Sequence, residues 1–74
     1  MIVNVKLFAS FRAGRFDMAA RDFPPGSKVG DVASELQLAE KEIGTILVNS
    51  KYAKLHSPLR EGDTLALFPL IGGG

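Results

Sequence analysis

Thr64-Leu65-Ala66-Leu67-Phe68-Pro69-Leu70-Ile71-Gly72-Gly73-Gly74 closes the chain, and the fold is read outward from it. Thr64 to Phe68 alternates, with Leu65 and Leu67 on one side and Ala66 and Phe68 on the other. Alternation of this kind marks a strand. Pro69 ends the run, two aliphatic residues follow, and three glycines come last. Glycine has no Cβ and loses more backbone entropy on ordering than any other residue. A domain therefore gains no stability by ending on three of them. A frayed terminus is the plain reading. The sharper expectation is that the terminal carboxylate is the working group, carried on a slim tether into a narrow cleft of another protein.

The rest of the chain supplies what that strand pairs with. Residues 2 to 9 alternate: Val3, Val5, Leu7 and Ala9 share one face, and Ile2, Asn4, Lys6 and Phe8 the other. The face with Asn4 and Lys6 is the wetter one, so Phe8 is expected to point outward. Phe11 to Arg15 reads as a loop, and Arg15 to Phe23 as a second strand with Phe16, Met18 and Ala20 on one side. Pro24-Pro25-Gly26 stops it. Ser27 is placed to cap a short helix, Lys28 to Leu36, with Val29, Val32, Ala33 and Leu36 in a helical apolar stripe. Residues 37–44 are a connector. Thr45 to Asn49 is a third strand, Asn49-Ser50 a turn, and Lys51-Tyr52-Ala53 a short edge strand. Gly62 is expected to supply a positive φ in the turn before Thr64.

The order strand, strand, helix, strand, short strand, strand describes an α+β domain in which one helix covers one face of a sheet. It matches the β-grasp, or ubiquitin-like, plan: a mixed sheet of four to five strands with one main helix. Residues 1–74 are read as one such domain with a flexible tail over 69–74. The plan sets the first and last strands side by side and parallel at the centre. Phe8 and Phe68 then meet on the open face and, with Ile2, Leu70 and Ile71, form an exposed apolar patch leading into the tail. Such patches mark protein contacts.

Composition narrows the function. With nine basic and eight acidic residues the net charge is +1, without the basic footprint that nucleic-acid binding needs. The absence of cysteine rules out disulfides and Cys-based zinc sites. No apolar run approaches the ~20 residues that cross a bilayer, and Met1 to Lys6 lacks the basic start of a secretory signal. A cytoplasmic protein without a metal is expected. The one histidine, His56, lies in a loop with no acidic neighbour, and no nucleophile-elbow or phosphate-loop pattern occurs. The chain is expected to perform no catalysis alone.

Three stretches resemble the MoaD/ThiS family of ubiquitin-like sulfur carriers. Leu7-Phe8-Ala9-Ser10-Phe11-Arg12 resembles the YFA-x-x-R end of the first strand in MoaD proteins. Leu47-Val48-Asn49, followed by Pro58-Leu59 and Gly62-Asp63, is similar to the family's VN and the turn after it. Leu67-Phe68-Pro69-Leu70-Ile71-Gly72-Gly73-Gly74 aligns without gaps on F-P-P-V-x-G-G, with Leu70 in place of the second proline. Phe8-Ala9 with Arg12, and Pro69 after Phe68, favour the MoaD branch.

The resemblance implies the small subunit of molybdopterin synthase, a carrier rather than an enzyme. In that family an ATP-consuming, ubiquitin-activating-like adenylyltransferase adenylates the last glycine, here Gly74 beside Gly73. A sulfur donor protein then makes the thiocarboxylate, and the large synthase subunit receives the tail. Phe8, Phe68, Pro69, Leu70, Ile71 and Gly72 are the implied partner-binding residues, and no cofactor is permanently bound. The chemistry is consistent with the residues. A terminal carboxylate, pKa ~3.5, is an anion and a poor electrophile until joined to AMP. Six residues from Pro69 to Gly74 reach about 20 Å at most. A thiazole (thiamine) sulfur carrier, a ubiquitin-like protein modifier joined through Gly74 to lysines, and a plain interaction module are the alternatives.

Overall fold

The structure is a computed structural model and describes residues 1–71 of the chain. Its elements are β1 (Ile2–Leu7), a 3-10 turn (Ala9–Arg12), β2 (Met18–Asp22) and the helix α1 (Val29–Glu35). A second 3-10 turn (Glu40–Glu42), β3 (Ile43–Val48), β4 (Lys51–Tyr52) and β5 (Thr64–Pro69) follow. The five strands form one mixed sheet in the order β2-β1-β5-β3-β4. β1 and β5 lie parallel at the centre, from Asn4 opposite Thr64 to Leu7 opposite Leu67. The other three pairings are antiparallel. This is the β-grasp arrangement.

The core lies between one sheet face and α1. Val3, Val5 and Leu7 of β1, Leu65 and Leu67 of β5, and Val29 and Val32 of α1 are completely buried. Each such side chain removed from water contributes about 1.5–3 kcal/mol. Phe11, Phe23, Leu38 and Leu59 close the cluster at its margins.

Several boundaries differ from the sequence expectation, each for a local reason. β1 stops at Leu7, not Ala9. Ala9 has φ 50° and begins the turn that buries Phe11, whose residues were expected to be loop. β2 begins at Met18, and Phe16 does not share its outer face. Met18 pairs with Lys6 and Ala20 with Asn4, whereas Phe16 packs against the core edge with the Arg21 guanidinium 4.9 Å above its ring. Lys28, not Ser27, is the N-cap of α1. The Ser27 hydroxyl instead donates to the Pro24 carbonyl at 2.7 Å, while the Asp31 carboxylate accepts from the Lys28 N–H at 2.8 Å.

β3 starts two residues before Thr45, across a bulge between Ile43 and Thr45. β5 runs one residue further than expected and includes Pro69, opposite Ile43. A proline is tolerated at a strand end beside a bulge, where the ladder needs no further donor.

Two turns are as expected. Asn49 and Ser50, with φ 51° and 69°, make the primed hairpin turn between β3 and β4. Gly62 has φ 83° in the turn that launches β5. Asn49 also ties the two turns together. Its Nδ2 donates to Asp63 at 2.8 Å, and its Oδ1 accepts from the Thr64 N–H at 2.9 Å.

Candidate functional site

The face of the sheet turned away from α1 carries the candidate site. The parallel register that sets Leu7 beside Leu67 places the next residues, Phe8 and Phe68, together. Their rings stack with centroids 4.1 Å apart and planes 10° from parallel. Both are half-buried. Arg12 flanks the pair. Its guanidinium lies 5.3 Å from the Phe8 centroid, and its Nε donates to the Leu7 carbonyl at 2.8 Å. The 3-10 turn after β1 holds this cation against the aromatic pair, a geometry that adds about 0.5–1 kcal/mol at an exposed site.

One row of residues crosses all five strands beside this pair. The pairings Met18 with Lys6, Lys6 with Ala66, Ala66 with Leu47, and Leu47 with Tyr52 put those five residues in line. Tyr52 is 87% exposed and Met18 62%. Ala66 is only 8% exposed although it belongs to the open face and not to the core cluster. The sequence reading missed Leu47, Tyr52 and Met18 as members of this surface. Alternation places each on a face of its own strand, but only the pairing register brings them into one row.

Ile2 does not belong to the patch. It lies on the same face at the opposite end of β1, six residues or about 20 Å from Phe8, beside Asp22. Strand alternation groups residues by face and is silent about distance along the strand.

The root of the tail is held. Pro69 pairs with Ile43, and the Leu70 N–H donates to the Glu42 carbonyl at 2.7 Å. Gly44 makes this possible, and the sequence reading assigned it only to a connector. A Cβ at Gly44 would lie 2.8 Å from the Pro69 carbonyl oxygen and 2.9 Å from the Leu70 Cα. Both are backbone atoms that no rotamer change can move. Leu70 and Ile71 are 57% and 79% exposed and continue the apolar surface from Phe68. Gly72, Gly73 and Gly74 lie outside the described residues.

Chemically, the face is aromatic and apolar, with one cation beside it, the composition of surface patches that mark protein contacts. Among the described residues no three His, Cys, Asp or Glu side chains group as metal ligands do, and His56 is exposed on its loop. No described helix is long and apolar enough to cross a membrane.

The ThiS family profile matches residues 5–74. The chain belongs to the ThiS family. Among solved structures, a Pyrococcus furiosus protein assigned as molybdopterin converting factor subunit 1 is 28% identical, with a TM-score of 0.77 over 96% of this chain and 99% of its own. Small archaeal modifier protein 1 of Haloferax volcanii is 27% identical, with a TM-score of 0.75 over 95% of this chain and 98% of its own. A complex of subunits 1 and 2 of the molybdopterin-converting factor from Helicobacter pylori contains a chain 25% identical, with a TM-score of 0.66 over the full length of both. A search of curated protein sequences gives no significant match. The chain thus has the ubiquitin-like fold of the small sulfur-carrier subunits.

Proposed function

We propose that this chain is a sulfur carrier for molybdopterin (molybdenum or tungsten cofactor) synthesis, acting as the small subunit of molybdopterin synthase. The observation that carries the reading is the stacked Phe8–Phe68 pair at the root of a tail that Gly44 and Glu42 hold in one direction. In this reading Gly72, Gly73 and Gly74, which follow Ile71 in the sequence, enter a narrow cleft of the partner. The subunit pair from Helicobacter pylori supports a large synthase subunit as partner.

In this reading a Gly74 carboxylate oxygen attacks the α-phosphorus of ATP inside an adenylyltransferase, and pyrophosphate leaves. Sulfide released by a donor protein then attacks the carbonyl carbon, and AMP departs as the leaving group. The thiocarboxylate so formed delivers sulfur in the large subunit. The body of the chain contributes recognition: Phe8, Phe68, Pro69, Leu70 and Ile71 dock, and Gly72 and Gly73 give the slim approach to Gly74. The chemistry takes place in the partners' pockets, so this chain is a carrier and not an enzyme. Residues 69–74 act as its working tail, with Pro69 and Leu70 as a fixed root.

Mass spectrometry of the protein isolated from its own host tests this. Sulfur in place of one terminal oxygen is the expected result. Conjugates to lysines of other proteins would instead establish a modifier, the reading favoured by the likeness to small archaeal modifier protein 1. A thiocarboxylate consumed by a thiazole-forming enzyme, and not by a pterin-converting one, would establish the thiamine branch.

A further inference from the structure

We propose that the free edge of β2 pairs antiparallel with β2 of a second copy, about a two-fold axis at Ala19. β2 and β4 are the two outer strands of the sheet. β4 is guarded in the usual ways, being two residues long and carrying Lys51. β2 has five residues, with neither proline nor lysine nor a bulge.

The parity of the β1–β2 ladder shows which backbone groups are free. The Leu7 N–H donates to the Asp17 carbonyl, and the Phe23 N–H donates to the Met1 carbonyl. Odd-numbered residues of this segment therefore face β1. Met18, Ala20 and Asp22 turn their N–H and C=O groups outward. In a pair centred on Ala19, Met18 of one copy lies opposite Ala20 of the other, so two outward-facing residues exchange both hydrogen bonds, twice over.

Side chains select this register. Asp17-Met18-Ala19-Ala20-Arg21 carries opposite charges four residues apart around Met18 and two alanines. With Ala19 on the axis, each Asp17 faces Arg21 of the second copy, giving two cross-strand ion pairs, and the two Ala19 methyl groups allow close approach. A pair centred on Ala20 would set Asp22 against Met18, and Arg21 against Ala19, without any ion pair. Among the described residues Asp17 has a long 3.5 Å contact with Arg12 and is 76% exposed, and the exposed Arg21 lies over the Phe16 ring at 4.9 Å, so both side chains turn from these contacts to pair across the axis. The joined sheet would have ten strands with both open faces on one side. The two β5 strands would stand five spacings, about 24 Å, apart, and both tails would stay clear. So small an edge makes a weak, concentration-dependent dimer.

Sedimentation velocity of the full chain from about 10 μM to about 1 mM is the test. Reversible dimerisation is expected, weakened about tenfold or more by Asp17→Arg or Arg21→Asp alone, each of which sets like charges together. The double variant, Asp17→Arg with Arg21→Asp, is expected to recover the affinity to within about threefold. Ala20→Pro, which removes an outward N–H and no bond to β1, is expected to give monomer with an unchanged circular dichroism spectrum. If that variant unfolds, the charge reversal decides. A chain monomeric at every concentration overturns the proposal, as does a dimer that survives the single reversals. A dimer lost in Phe68→Ser but kept in Ala20→Pro overturns it too, by placing the contact on the open face. Failure of the double reversal to recover affinity overturns the Ala19 register.

Discussion

Replacing Phe68 by alanine separates its two possible roles, because its position predicts a small cost to folding and a large one to docking. The ring is half-buried and rests on Phe8, 4.1 Å between centroids. Losing that stack removes about 0.5–1.5 kcal/mol. Solvent already covers its other side, so little cavity forms. A loss of about 1–2 kcal/mol is expected, a fall in melting temperature of roughly 4–8 °C per kcal/mol for a domain this small. Its neighbour Leu67 has no exposure and points into the core, so Leu67→Ala should cost about 2–5 kcal/mol. The order reverses in binding. A central aromatic anchor contributes about 2 kcal/mol or more to an interface, some thirtyfold in Kd. Denaturant titration gives the first quantity. Calorimetric titration of the large synthase subunit with each folded variant gives the second. If Phe68→Ala destabilises the domain as much as Leu67→Ala and leaves the affinity unchanged, the assignment of the open face as the docking surface is wrong.

Gly44→Ala should leave the core intact and release the tail root. Amide exchange at Leu70 should accelerate by about tenfold or more, as expected for a lost hydrogen bond of 0.5–1.5 kcal/mol together with a 2.8 Å backbone clash; unchanged exchange would refute the fit at Gly44. Asn49→Ala loses both the side-chain bonds to Asp63 and Thr64 and a residue that tolerates positive φ. It should cost about 1–3 kcal/mol by thermal melting, and Asn49→Gly less, since glycine keeps φ 51° without strain. Deleting Gly74 should abolish thiocarboxylate formation, read by mass spectrometry with activating enzyme and ATP, while leaving the melting temperature unchanged.

The periodicity of Val3, Val5 and Leu7, of Val29, Val32 and Ala33, and of Leu65 and Leu67 was enough to assign sheet, helix and core face. Side-chain period is a local property, set by backbone geometry two or four residues at a time. The three glycines after Ile71 are likewise written in the residues themselves, and they lie outside the described residues. Asn49-Ser50 and Gly62 were readable as turns because positive φ favours few residue types.

What only the tertiary structure decided was everything depending on register between strands distant in sequence. Alternation puts Leu47, Tyr52 and Met18 on faces of three different strands. The ladder pairings set them, with Lys6 and Ala66, in one row across the sheet beside Phe8, and the same pairings set Ile2 at the far end of the sheet, out of reach of the patch. Gly44 shows the limit most plainly. In the sequence it is a glycine in a connector; in the fold it is the gap through which Pro69 and Leu70 pass. A close backbone approach joins residues some 25 positions apart, and no local pattern at either end encodes it.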